Sequence, residues 1–219
     1  AAVAAGHLLG LDETKLANAI GVAASRASSV LANVGTMTKS THCGHASAMG
    51  LEAALLASRG FTANVDTFGA RQGYCDTFHT DFRPEELLNY GRSPWRVASP
   101  GYAIKMFPSQ YGTHFGITAG LELHPKLGDP TAIRKTVLTA PVMNYVNRPR
   151  PKTGLDGKFS LQYTMASALL DGKVGIKTFT DARLFKPDMQ DLLGKIDVRH
   201  DPSIPGRFEE MHVDLRVEM

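Results

Sequence analysis

Arg134-Lys-Thr-Val-Leu-Thr-Ala140 alternates polar and apolar side chains, the period-two pattern of a strand with one buried face. The same alternation returns in Lys195-Ile-Asp-Val-Arg199 and, more strictly, in His212-Val-Asp-Leu-Arg-Val-Glu218. Between these strands, residues 159–170 and 187–193 carry helical spacing, and residues 111–123 read as a further helix that Pro125 stops. Strands interleaved with helices define an α+β part. Before residue 100 the chain reads as helix and connection only, so the expected fold class is α+β, an all-helical part at 1–101 followed by an α+β part at 102–219.

In the helical part, Asp12 or Thr14 can cap a helix running to about Ser28, with Leu16, Ile20 and Ala23/Ala24 on one face. That face is built of small residues, which suits close packing inside a helical layer. After the loop 34–42, a second helix is expected from about Thr41 to Ser58, with Ala46, Met49, Ala53, Leu56 and Ala57 at helical spacing and Gly60 as its terminator. Residues 61–82 lack a period and read as a long connection with one short helix. The composition shifts after Arg96, and Ser99-Pro-Gly101 is a turn signal at the division.

Of 219 residues, 43% are hydrophobic and 21% charged, which excludes a disordered tail, a collagen-like repeat and a coiled coil. The net charge of +3 lies entirely in 102–219 and is too weak to argue for nucleic acid. The two cysteines, Cys43 and Cys75, imply no disulfide framework and point to a reducing compartment, the cytoplasm or a mitochondrial matrix. No apolar run approaches the roughly 18 residues of a membrane span, so no membrane partner is expected. The chain starts without Met and stops at Met219 inside an expected strand, which suggests a piece of a longer protein. Phosphate-binding glycine loops, H-E-x-x-H, C-x-x-C and the G-x-S-x-G elbow do not occur.

Three stretches carry chemistry. Thr36-Met-Thr-Lys-Ser-Thr-His-Cys-Gly-His45 leads into a helix N-terminus, where backbone N–H groups favour an anion, and Lys39 and His42 stand beside it. The bland alternative is a Thr41 cap with Lys39 in solvent. His42 and His45 are three apart but have no third ligand at helical spacing, so no metal is expected. Lys105-Met-Phe-Pro-Ser-Gln-Tyr-Gly-Thr-His114 repeats the logic with a lysine, a polar turn and a helix start; alone it reads equally as a domain-joining turn. Tyr145-Val-Asn-Arg-Pro149 follows a strand and opens a basic loop, in which Arg148 can grip a carboxylate bidentately or simply face solvent. Its aromatics are too few to favour nucleic acid.

Taken in order, these stretches together with Ala5-Gly-His-Leu-Leu-Gly-Leu11, Ser160-Leu-Gln-Tyr163 and Ala168-Leu-Leu-Asp-Gly172 resemble the MmgE/PrpD family over nearly the whole chain. The resemblance implies an all-helical domain and a smaller α+β lid, with active-site residues contributed by both, and a homodimer. It also implies that the first half of the helical domain, with an Asp-rich active-site motif, and the C-terminal return lie outside this sequence. The implied activity is that of a lyase without cofactor, acting on a small di- or tricarboxylate by dehydration of 2-methylcitrate or decarboxylation of cis-aconitate, with epimerisation as the family's third reaction. Residue by residue, Lys39, Lys105 and Tyr145 fall on catalytic positions. His42 falls on the histidine just after the lysine matched by Lys39, and His114 on a retained histidine; these two, with Gln110 and with Arg148 as a carboxylate anchor by its own chemistry, are expected to bind substrate. In the family's decarboxylase branch the position of Gln110 is a histidine; glutamine donates a hydrogen bond but transfers no proton near pH 7. The competing class is a non-catalytic carboxylate-binding or dimerisation module. A weak nucleic-acid binder using residues 148–158 ranks last.

Overall fold

The computed structural model describes residues 1–79, 81–83, 85, 94–95, 97–99 and 101–219. The chain forms two compact units, Ala1–Tyr102 and Ala103–Met219. Arg96 and Pro100, used above to mark the division, lie outside the described residues; Gly101 has a φ of +83°.

In the first unit, α1 (Ala2–Leu8), α2 (Glu13–Ala24) and α3 (Met37–Ser58) pack on one another, and a short α4 (Tyr74–Phe78) lies in the connection. The Asp12 carboxylate accepts the Lys15 amide at 2.8 Å, which fixes the start of α2. The helix ends at Ala24, four residues before the expected Ser28, and Ser29 has a φ of +89° that no helix continues through. The core here is made of small side chains, Ala19, Ala54 and Ala57, with Ala5 and Leu11 packed against it. Buried Asn18 holds the connection by accepting the Ala63 amide at 2.8 Å.

α3 begins four residues earlier than the expected Thr41. Thr36 is its N-cap residue, with extended backbone, and the Thr41 hydroxyl bonds back to the Thr38 carbonyl at 2.7 Å inside the helix. Beyond Ser58 the helix closes as the sequence suggests: the Gly60 amide donates to the Ala57 carbonyl and the Phe61 amide to that of Leu56.

The second unit is α+β. Its strands β1 (Lys135–Ala140), β2 (Ile196–His200) and β3 (Asp214–Glu218) form one sheet in the order β2-β1-β3. β1 runs parallel to β2, with Leu138 opposite Val198, and antiparallel to β3, with Leu138 opposite Leu215. A parallel pair needs a long crossover. Here it contains α6 (Gly154–Gly157), α7 (Leu161–Asp171), α8 (Asp181–Leu184) and α9 (Pro187–Leu193), while α5 (His114–Leu123) precedes β1.

Thr136, Leu138 and Ala140 on β1 point inward, as the alternation predicts. α7 is buried on every side from Leu161 to Leu169 and sits at the centre of a core with Ile133, Leu138, Met143, Leu184 and Met189. Ser160 caps it by accepting the Tyr163 amide at 2.9 Å.

Candidate functional site

In the second unit the site is built on the turn between Phe107 and α5. Ser109 and Thr113 are buried with their hydroxyl oxygens 2.8 Å apart, and Thr113 donates to the Gln110 carbonyl at 2.7 Å. Since the Thr113 proton is committed, Ser109 donates to Thr113. The Gln110 amide donates to the Lys158 carbonyl at 2.9 Å, and its side-chain oxygen accepts the Gly112 amide at 2.5 Å. Gln110 thus caps the 3-10 turn Tyr111–Thr113 with one end of its carboxamide.

Lys105 is tethered to this turn through Nζ, which donates to the Ser109 carbonyl at 3.0 Å. His114 opens α5, its ring between Phe107 and Tyr111, with Nε2 at 3.1 Å from the Phe107 carbonyl. A carbonyl only accepts, so Nε2 carries the proton. Burial holds the His114 pKa below the ordinary 6.5. The bond to Phe107 opposes this and the Lys105 charge adds to it. His114 is therefore a neutral imidazole at pH 7. Its ring also lines a largely apolar cleft of about 470 Å³ with Ile104, Phe107, Phe115 and Met211.

Tyr145 comes to the same turn from the 3-10 segment Asn144–Val146 beyond β1. Val146, fully buried, anchors that segment, while Tyr145 is half exposed. Its hydroxyl lies over Gly112: a Cβ there would stand 2.8 Å from Tyr145 Oη, so only glycine permits this approach. Burial raises the phenol above its ordinary 10, which keeps it a proton donor at neutral pH. Lys105, Gln110, His114 and Tyr145 thus share one turn.

Arg148 stands apart from them. Its Nη1 pairs with Asp156 Oδ1 and its guanidinium lies 5.0 Å from the centre of the Phe159 ring. What it offers a ligand is the remainder of its N–H fork.

Lys39 and His42 lie in the first unit. Both are within the first turns of α3 rather than in the loop before it; Lys39 is exposed and His42 half-buried. As the third residue of the helix, Lys39 sits among the N–H groups that have no partner within the helix. Among the described residues, no three His, Cys, Asp or Glu side chains are grouped to hold a metal ion. Likewise no helix is long and apolar enough to cross a membrane.

Several supporting residues escape a reading by motif. Asp156, which occupies Arg148, is eight positions away on another element. Gly112 and Phe107 act through backbone, where only the turn's geometry reveals them. The four-residue spacing of Ser109 and Thr113 was the one local signal available.

A helical unit is followed along the chain by a small mixed-sheet unit, which carries Lys105, His114 and Tyr145. Residues 1–87 match the MmgE/PrpD N-terminal domain and residues 107–219 the MmgE/PrpD C-terminal domain, and the chain belongs to the MmgE/PrpD family. Over its whole length it is 30% identical to cis-aconitate decarboxylase of Mus musculus and, equally, to that of Homo sapiens. It spans 46% of each, about half the length of the curated relatives it matches.

Proposed function

We propose that this chain forms part of a cofactor-independent lyase that acts on a small di- or tricarboxylate, with residues 1–101 as part of a helical domain and 102–219 as an α+β lid. The observation that carries the reading is the meeting of an ammonium (Lys105), a neutral imidazole (His114) and a protonated phenol (Tyr145) on one turn. Such a set binds a carboxylate and moves a proton beside it. The family and the two cis-aconitate decarboxylases support the same class.

The chemistry is proton movement at a carbon next to a carboxylate. In dehydration a base removes that proton and the neighbouring C–O bond breaks, releasing hydroxide that is protonated to water. In decarboxylation the C–C bond to a carboxylate breaks, carbon dioxide leaves with no electron pair, and the carbanion takes up a proton. Lys39 is assigned the proton transfer and Tyr145 the role of acid. Lys105 clamps the developing charge, while His42, Gln110, His114 and Arg148 hold the substrate's carboxylates. Gln110 favours dehydration over decarboxylation wherever the latter needs a proton-transferring side chain at that position. A homodimer in the cytoplasm or mitochondrial matrix belongs to the same proposal.

The test is a panel of citrate, 2-methylcitrate and cis-aconitate with the complete protein, products followed by NMR. Turnover of one of them is expected, and Lys39→Ala should lower kcat by about 100-fold or more, the usual scale of acid–base catalysis. Wild-type turnover in Lys39→Ala removes Lys39 from the mechanism. Thermal stabilisation by these acids without turnover replaces the lyase with the binding module.

A further inference from the structure

The segment that brings Tyr145 to the site has little regular structure of its own. It runs from the end of β1 at Ala140 to α6, and its only helical turn is Asn144–Val146. Two side chains from the N-terminus of α7 hold it. Ser160 Oγ, fully buried, donates to the Arg148 carbonyl at 2.6 Å. Gln162 Nε2 donates to Asn147 Oδ1 at 2.6 Å, and Gln162 is 3% exposed.

Gln162 is a poor choice for stability. Its other amide atom, Oε1, is buried with no hydrogen-bond partner, and a buried unpaired acceptor is destabilising. Leucine would fill a similar volume in this apolar helix without that cost. What leucine cannot do is donate to Asn147. Because Leu161–Leu169 of α7 are all buried in the core of the unit, a bond from this helix ties the segment to that core.

We propose that Gln162 is a positioning residue for Tyr145, acting through Asn147 to hold the phenol over Gly112. The proposal rests on the reading that Tyr145 works in this site, and its test separates the two. In the complete protein, the ultraviolet titration of tyrosinate is recorded for wild type and Tyr145→Phe, the difference isolating the Tyr145 phenol. Gln162→Leu, Asn147→Leu and the double variant are then measured against it. The expected result is that each brings the phenol back toward its ordinary value, and that the double variant matches either single one, since both break the same bond.

Asn147 is exposed, so Asn147→Leu tests the contact even if Gln162→Leu does not fold. An unchanged Tyr145 titration in Asn147→Leu, or additive shifts in the double variant, overturns the proposal. On a turned-over acid, kcat should fall about ten- to a hundred-fold with KM little changed, the scale of a misplaced catalytic group. A shifted phenol with unchanged kcat leaves Gln162 as the positioning residue and removes Tyr145 from the mechanism.

Discussion

His114 shows how one side chain ties the site to pH. Its folded pKa lies below the 6.5 of the free side chain, so the unfolded chain binds the proton first as pH falls. The stability it contributes is complete above about 6.5 and is lost as pH drops through the folded value. Melting temperature should therefore decline more steeply between neutrality and pH 5 in wild type than in His114→Gln; equal slopes would refute a role for His114. Gly112 gives a second expectation at this scale. Gly112→Ala places a methyl 2.8 Å from Tyr145 Oη and 3.1 Å from Gln110 Oε1. The phenol should swing outward, its titration moving toward 10, at an overpacking cost of about 1–3 kcal/mol. A Tyr145 titration identical to wild type would show that the phenol does not rest there. The sequence marks Tyr145 and His114 by motif, but neither their shared turn nor their protonation, because burial sets both and burial is a tertiary property.

Among elements, the end of α7 is the most interlocked. Arg183 on α8 grips Asp171 with two bonds of 2.9 Å and reaches Asp188 on α9 at 3.1 Å, so three helices meet at one guanidinium whose side chain is 11% exposed. Asp171→Ala leaves that charge with half its partners and should cost about 2–3 kcal/mol, below the usual value for a fully buried pair because Asp171 is itself partly exposed. Urea unfolding measures it; a midpoint unchanged from wild type would make the triad ornamental. Next to it Gly172 takes a φ of +62°, and a Cβ there would meet His124 Nε2 at 2.5 Å. That imidazole is bonded through Nδ1 to the Leu169 carbonyl at 2.7 Å, so Gly172→Ala should disturb both cap and strain the backbone by about 1–2 kcal/mol. Element boundaries were legible where a side chain announces them. Asp12, one of two candidate caps in the sequence, bonds an amide three residues on and starts α2, while Ser160 does the same for α7, whose start the spacing alone puts at 159. The start of α3 was misplaced by four residues for the converse reason: Thr36, Thr38 and Thr41 all resemble caps, and the helix opens at Thr36 without using its side chain.

Over the whole molecule, the two units differ in what holds them. The first has a core of alanines, the second a cluster of large side chains around α7. Burial of larger apolar surface gives greater stability, so amides of Leu161–Leu169 should be the slowest to exchange with deuterium, well behind those of α1 and α2. Comparable protection in α1 and α7 would contradict this. Alternation in the sequence identified the strands of the second unit but not their order, since periodicity reports which face is buried and says nothing of which strand lies alongside. That order governs how the unit comes together. Thr136 on β1 has its neighbours at Ile196 on one side and Val217 on the other, so the middle strand must wait for partners made long after it. Helical contacts such as α5 against α7 are available sooner, and distant strand pairing is slow. During synthesis β1 is thus left with one edge bare until residues 196–200 emerge and with the other bare until residues 214–218 do. Its exposed Thr-Val-Leu-Thr run is where a stalled or shortened chain would misassociate first.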